Sequence, residues 1–333
     1  MKILIDYLLS IICVVVLRLL AFFLGFGILM SAQASEFPVT VQSCGKPLTF
    51  TQAPKRAIIN DLNMSEMIFA LNLNSRIIGL TGISGWYKMT PEFRKKMGTI
   101  PELSPKYPSL ETLLAVNPDF FFAGWNYGMK IGGEVTPDTL AKYGIKTLVL
   151  SESCVFENHA YQHASMDLLY NDILTLGKIF GCEEKAQILV KQWKEKLASI
   201  PKLSSSHNPP KVFVYDSGED KPFTSGVYAM PTAIIEAAGG RNVMDNMMSS
   251  WSSTSWEIVS AANPDVIILL DYQKGNDSMM LQHFLEKHPL MKYTTAVKKQ
   301  QYLKLKYSEL TPGPENISAI EKLSRTLYKV ATP

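Results

Sequence analysis

The chain of 333 residues lacks the usual marks of catalysis. It has no G-x-S-x-G, no H-E-x-x-H, no P-loop and no Rossmann glycine fingerprint, so no nucleophile–base pair or nucleotide cradle can be placed. It has no C-x-x-C, which removes the common redox motif and the zinc ribbon. No Lys/Arg-rich run is long enough to neutralise a phosphate backbone, and the net charge is only +3, so nothing argues for nucleic acid. Arginine is scarce. Beyond residue 34 it occurs only at positions 56, 76, 94, 241 and 325, which gives a strongly anionic ligand few partners. The five histidines form no second cluster to match His159 and His163, which are four apart and read as solvated residues.

What is present begins with an address. Lys2 and Arg18 flank the start of the chain, an apolar run covers Leu19–Met30, and Ala32-Gln33-Ala34 follows. This reads as a secretory signal over 1–34, cut after Ala34. The alternative is an uncleaved anchor, since Tyr7–Met30 is long enough to span a bilayer. Cys13 lies far upstream of the cut, so the mature protein is expected free in the periplasm as a monomer, without a lipid anchor. Three cysteines then remain: Cys44, Cys154 and Cys182. In an oxidising compartment they allow three single pairings, or all three are reduced and buried.

The remaining ~300 residues suit two lobes. Apolar runs at Ala57–Ile59, Arg76–Leu80, Phe120–Ala123 and Lys146–Leu150 read as strands. Helices are expected over Glu66–Leu71, capped by Ser65, then after Ser109, and over Thr136–Tyr143. Residues 81–108, rich in Gly and Pro, read as irregular. Helical spacing dominates residues 164–199, with a break at Gly181. Strands then resume at Val212–Tyr215, Val266–Leu270 and Tyr302–Lys306, with helices over Thr232–Ala238 and Glu315–Val330. The fold class is therefore α/β: two lobes, 35–163 and 201–333, each a mainly parallel sheet flanked by helices. An interdomain helical segment, 164–200, joins them.

One motif occurs twice. Ser109 to Asp119 (SLETLLAVNPD) and Ser255 to Asp265 (SWEIVSAANPD) match at six of eleven positions, 146 residues apart. Each copy runs into an apolar strand. Ser caps a short helix, Glu near its start suits the helix dipole, and Asn-Pro-Asp turns the chain into the sheet. Those roles cover Glu111 and Glu257 only in part. Two exposed carboxylates at equivalent places on two lobes can also form a symmetric docking pair.

These pieces, taken in order, resemble the helical-backbone class of periplasmic binding proteins, the iron–siderophore and vitamin B12 binders. The likeness runs over about residues 44–325. It includes Pro54-Lys55-Arg56-Ala57-Ile58-Ile59, Ser65-Glu66, both copies of the repeat, Pro222-Phe223-Thr224-Ser225-Gly226 and Ala238-Gly239-Gly240-Arg241-Asn242-Val243. The resemblance implies two lobes joined by a long helix, no intrinsic cofactor, and a chelated metal in the cleft. It also implies an ABC importer permease as partner, met by one glutamate per lobe, here Glu111 and Glu257. Members of this kind carry a Cys-Gly pair near the mature start and a cysteine after the last strand of the first lobe. These match Cys44-Gly45 and Cys154, which implies a Cys44–Cys154 bridge with Cys182 free.

Open α/β sheets bind ligands beyond the C-terminal ends of their strands. The loops there carry Trp86, Tyr87, Tyr107, Trp125 and Tyr127 in the first lobe, and Tyr215, Trp251 and Tyr272 in the second. Flat apolar rings with polar edges suit a ferric siderophore or a corrinoid. Lys88, Lys130 and Lys221 are available for charge. The function expected is periplasmic capture of a metal chelate, most simply an iron–siderophore. The alternatives are a cobalamin binder, a zinc or manganese receptor, and an enzyme on the same frame.

Overall fold

The computed structural model describes residues 37–158, 163–201, 208–272 and 277–331. The signal segment, its expected cut after Ala34, and the residues His159 and His207 lie outside these. No described helix is long and apolar enough to cross a membrane.

The chain enters through a hairpin of β1 (Val39–Ser43) and β2 (Lys46–Phe50). Its two-residue turn is Cys44-Gly45, with φ of 48° and 79°, the left-handed pair that a tight hairpin requires. A disulfide joins Cys44 to Cys154 across 110 residues, and Cys182 is free.

The first lobe is built on β3 (Ala57–Asn60), β4 (Ile77–Thr81), β5 (Glu102–Ser104), β6 (Phe120–Trp125), β7 (Gly128–Met129) and β8 (Lys146–Val149). The order β5-β4-β3-β6-β8 is parallel throughout, and the two-residue β7 pairs in parallel with the end of β6. Parallel strands covered on both faces need continuous apolar runs. Ala57-Ile58-Ile59 and Phe120-Phe121-Phe122 supply them and are fully buried.

Three local expectations change here. The helix after β3, α1 (Leu62–Ala70), is capped by Asp61, whose carboxylate accepts from the amide of Leu62. Ser65 lies inside that helix and donates to the carbonyl of Asp61. The stretch 81–108 is not wholly irregular: Thr90 caps a helix, Pro91–Met97, and β5 follows. Trp125 ends a strand and is not in a loop.

The connection is a pair of helices, α2 (Met166–Phe180) and α3 (Glu183–Ser199), broken at Gly181 with φ of 68°. They fold back on each other. Lys194 on α3 lies over the ring of Tyr170 on α2, and a Cβ on Gly177 would meet Ala186 at 2.5 Å.

The second lobe holds β9 (Lys211–Tyr215), β10 (Phe223–Ser225), β11 (Arg241–Asn242), β12 (Trp251–Ser253), β13 (Val266–Asp271) and β14 (Tyr302–Lys306). The order β11-β9-β13-β14 is parallel, and β10 pairs with β12 antiparallel beside it.

The repeat is a clamp. Leu110–Leu114 and Trp256–Ala262 are its helices, capped by Ser109 and Ser255. Asn117 and Asn263 both sit left-handed, with φ of 45° and 48°. The Asp119 carboxylate accepts from the amides of Lys55 and Arg56, and Asp265 accepts from the amide of Lys211. The Arg56 guanidinium donates to the carbonyls of Val116 and Asn117, and Lys211 Nζ donates to that of Ala262. In each lobe a cation at the head of the central strand thus satisfies carbonyls at or just past the C-terminal end of the repeat helix. This explains the Asn and Asp of the motif and leaves Glu111 and Glu257 exposed on the surface.

Candidate ligand-binding site

A cavity of about 1060 Å³ lies beyond the C-terminal ends of β3, β4 and β6 on one side and β9 and β13 on the other. That is where open α/β sheets take ligands. The first lobe supplies Trp86 and Tyr107, whose ring centres lie 5.9 Å apart. Trp86 and Tyr87 are exposed at its mouth. The second lobe supplies Phe223 stacked on Trp251, with centroids 6.1 Å apart and planes 18° apart. Tyr272 and Tyr307 meet at 5.9 Å.

Seven of the eight aromatics expected at the site line this cavity: Trp86, Tyr87, Tyr107, Tyr127, Tyr215, Trp251 and Tyr272. Tyr127 and Tyr215 are buried and form wall more than mouth. Trp125 does not line it. Side chains alternate along β6, and Trp125 shares the face of Phe121 and Ala123 in the core behind the sheet. Its indole N–H donates to Glu157 at 2.9 Å, and Glu157 in turn pairs with Lys46 at 2.5 Å.

Of the polar floor, only Lys88 was read in the sequence. Asp61 follows β3 directly and Asp216 follows β9 directly. The Lys88 ammonium meets Asp61 at 2.6 Å and sits 3.8 Å over the Tyr307 ring. Burial pulls the pKa of Lys88 below the usual lysine range, against the pull of Asp61. The Tyr307 hydroxyl donates to Asp61 at 2.9 Å across the cleft. Asp216 accepts from Ser217 Oγ at 2.6 Å and from the Tyr272 hydroxyl at 3.0 Å. Burial raises the Asp216 carboxyl above its ordinary value and pushes the Tyr107 phenol up to about 12. The signal for both acids was the strand-end rule itself, carried one residue past Asn60 and Tyr215.

Glu152, from the turn after β8, is a second link between lobes. It accepts from the Tyr127 hydroxyl at 3.0 Å and from the amide of Met230 at 2.5 Å. Met230 opens α4 (Met230–Ala237) of the second lobe. Burial raises the Glu152 carboxyl to about 7 despite both donors. His163 is half exposed and pairs with Glu236 at 2.7 Å, away from the cavity. Among the described residues, no group of three or more His, Cys, Asp or Glu side chains is placed to hold a metal ion.

Residues 61–307 match the family model described as "periplasmic binding protein". The chain belongs to this family, the solute-binding proteins of ABC importers. An uncharacterized ABC transporter substrate-binding lipoprotein of Bacillus subtilis, YvrC, is 22% identical over 297 residues, which is 88% of this chain and 86% of that one. A periplasmic binding protein from Veillonella parvula superposes with a TM-score of 0.74 at 27% identity, over 86% of this chain and 96% of that chain. An ABC-type Fe3+-hydroxamate transport system from Saccharomonospora viridis gives 0.72 at 22% identity, over 87% and 99%. Similar folds are also seen in haem-binding proteins and a vitamin B12-binding protein. The binding-protein frame with two parallel sheets is therefore the architecture of this chain.

Proposed function

We propose that the protein captures a chelated metal complex, an iron–siderophore, in the cleft and hands it to the permease of an ABC importer. The observation that carries this reading is the aromatic cavity itself. Its volume stands just above the usual small-molecule range of about 300–1,000 Å³. Rings from both lobes face it, which suits a bulky, largely apolar complex. Export by the N-terminal signal, cleavage after Ala34 and action as a monomer without catalysis belong to the same reading. Glu111 and Glu257, exposed on matching helices, are the proposed docking pair for the permease.

Tryptophan fluorescence tests this directly, because Trp86 and Trp251 border the cavity. The protein is titrated with a ferric trihydroxamate, a ferric tris-catecholate, cobalamin, haem and Zn(II). Saturable quenching by a ferric chelate is the expected result. Response to Zn(II) alone, or to cobalamin or haem alone, sinks the siderophore reading.

A further inference from the structure

The floor of the cavity carries an imbalance of charge. Lys88 and Asp61 are both buried and satisfy each other at 2.6 Å. Asp61 also accepts from the Leu62 amide and the Tyr307 hydroxyl. Asp216 is different. It is only 8% exposed, it lines the cavity, and among the described residues no cation stands within ion-pair distance of it. Its two hydrogen bonds come from neutral hydroxyls, Ser217 and Tyr272. A carboxylate offers about four acceptor sites, so about two remain open toward the cavity. Lys88 acts on Asp216 through space but is hydrogen-bonded to Asp61, so one ammonium serves two buried carboxylates. A buried carboxylate with no cation of its own at ion-pair distance is costly, and an incoming cation relieves that cost. The other cations near the site are Lys106 and Lys130, over the rings of Trp86 and Tyr107, and Lys287. All three are exposed, where water and salt screen them.

We propose that the cavity selects a ferric chelate bearing a cationic hydrogen-bond donor, such as an ammonium, that docks on the Asp216 carboxylate at the floor. This rests on the siderophore reading and narrows it to one charge class. Tyr272 and Ser217 hold the carboxylate in place, and the aromatic walls take the apolar body of the complex. The expected ligand is a ferric trihydroxamate with a free amine, and a polyanionic tris-catecholate is disfavoured.

A matched pair isolates the charge. The ferric complex of desferrioxamine B carries a free ammonium, and its N-acetylated form keeps the same coordination sphere without that charge. Both are titrated into the wild-type protein beside a ferric tris-catecholate. The amine form should bind about tenfold or more tightly than the acetylated form, as a charge-assisted hydrogen bond at a buried site requires. Asp216→Asn should erase that preference, bringing the amine and acetylated forms to the same affinity. Equal affinity of the two hydroxamates for the wild type, or tighter binding of the catecholate, overturns the proposal and leaves the siderophore reading standing. If none of the three binds, the siderophore reading falls and this proposal with it. The wild-type comparison decides the matter even if the variant folds poorly.

Discussion

At the scale of single residues, the pairing of Lys88 with Asp61 ties the cleft floor to the fold. Asp61 adopts φ of 68° and caps α1, so one side chain serves a helix, a lysine and a tyrosine. Asp61→Asn leaves the buried ammonium without its ion-pair partner, with Asp216 acting on it only through space. It should lower stability by about 3–5 kcal/mol in urea melts, and adding Lys88→Met should recover part of that loss. A single variant as stable as wild type would show that the pair does not hold the floor. The tryptophans divide the same way. Trp125→Ala should cost about 3–5 kcal/mol, because its ring is buried in the core behind β6. Trp86→Ala at the exposed mouth should change stability by less than about 0.5 kcal/mol while weakening ligand-induced quenching. Both positions follow an apolar run in a glycine-bearing stretch, so composition alone sorted them together. What separates them is where β6 stops. A strand two residues longer than its apolar run turns a loop residue into a core residue. Asp61 and Asp216 escaped notice for the opposite reason: they are common turn residues, and nothing local marks a turn acid as buried.

At the scale of elements, capping and apolar runs made most of the fold readable. Strands β3, β4, β6, β8, β9, β13 and β14 appear within a residue or two of the apolar runs that predict them, whereas the short strands β5, β7 and β11 had no such run. The short helix Pro91–Met97 did not, because its Pro and Gly neighbours look like loop and its Thr90 cap is a single residue. The link from Glu152 to the N-terminus of α4 could not be read at all, since it joins residues 78 apart. That link carries a pH signature. Burial raises the Glu152 carboxyl from 4.5 to about 7, so the folded state holds its proton more tightly than the unfolded chain does. Its contribution is most favourable below about pH 4.5 and declines as pH rises through 7. Burial raises Asp172, which accepts from Ser151, in the same sense to about 7. Melting temperature should therefore fall between pH 5 and 8, and Glu152→Gln should flatten that fall while keeping an acceptor for Met230. An unchanged slope in the variant would assign the effect elsewhere.

At the scale of the molecule, the two copies of the repeat relate the outer surface to the cleft. Reversing both proposed docking charges, Glu111→Lys with Glu257→Lys, should abolish uptake in cells and leave the chelate affinity of the purified protein within about twofold. Surviving uptake would remove the docking assignment. The clamps add a geometric consequence. Arg56 and Lys211 grip the repeat helices at the head of β3 and β9, and Asp61 and Asp216 stand at the foot of the same strands. From grip to acid is five residues in each lobe, about 16 Å of extended chain. The protein is thus strung on two struts of equal length. If the proposed docking holds, a partner on the outer helices and a guest on the floor would bear on opposite ends of the same two strands.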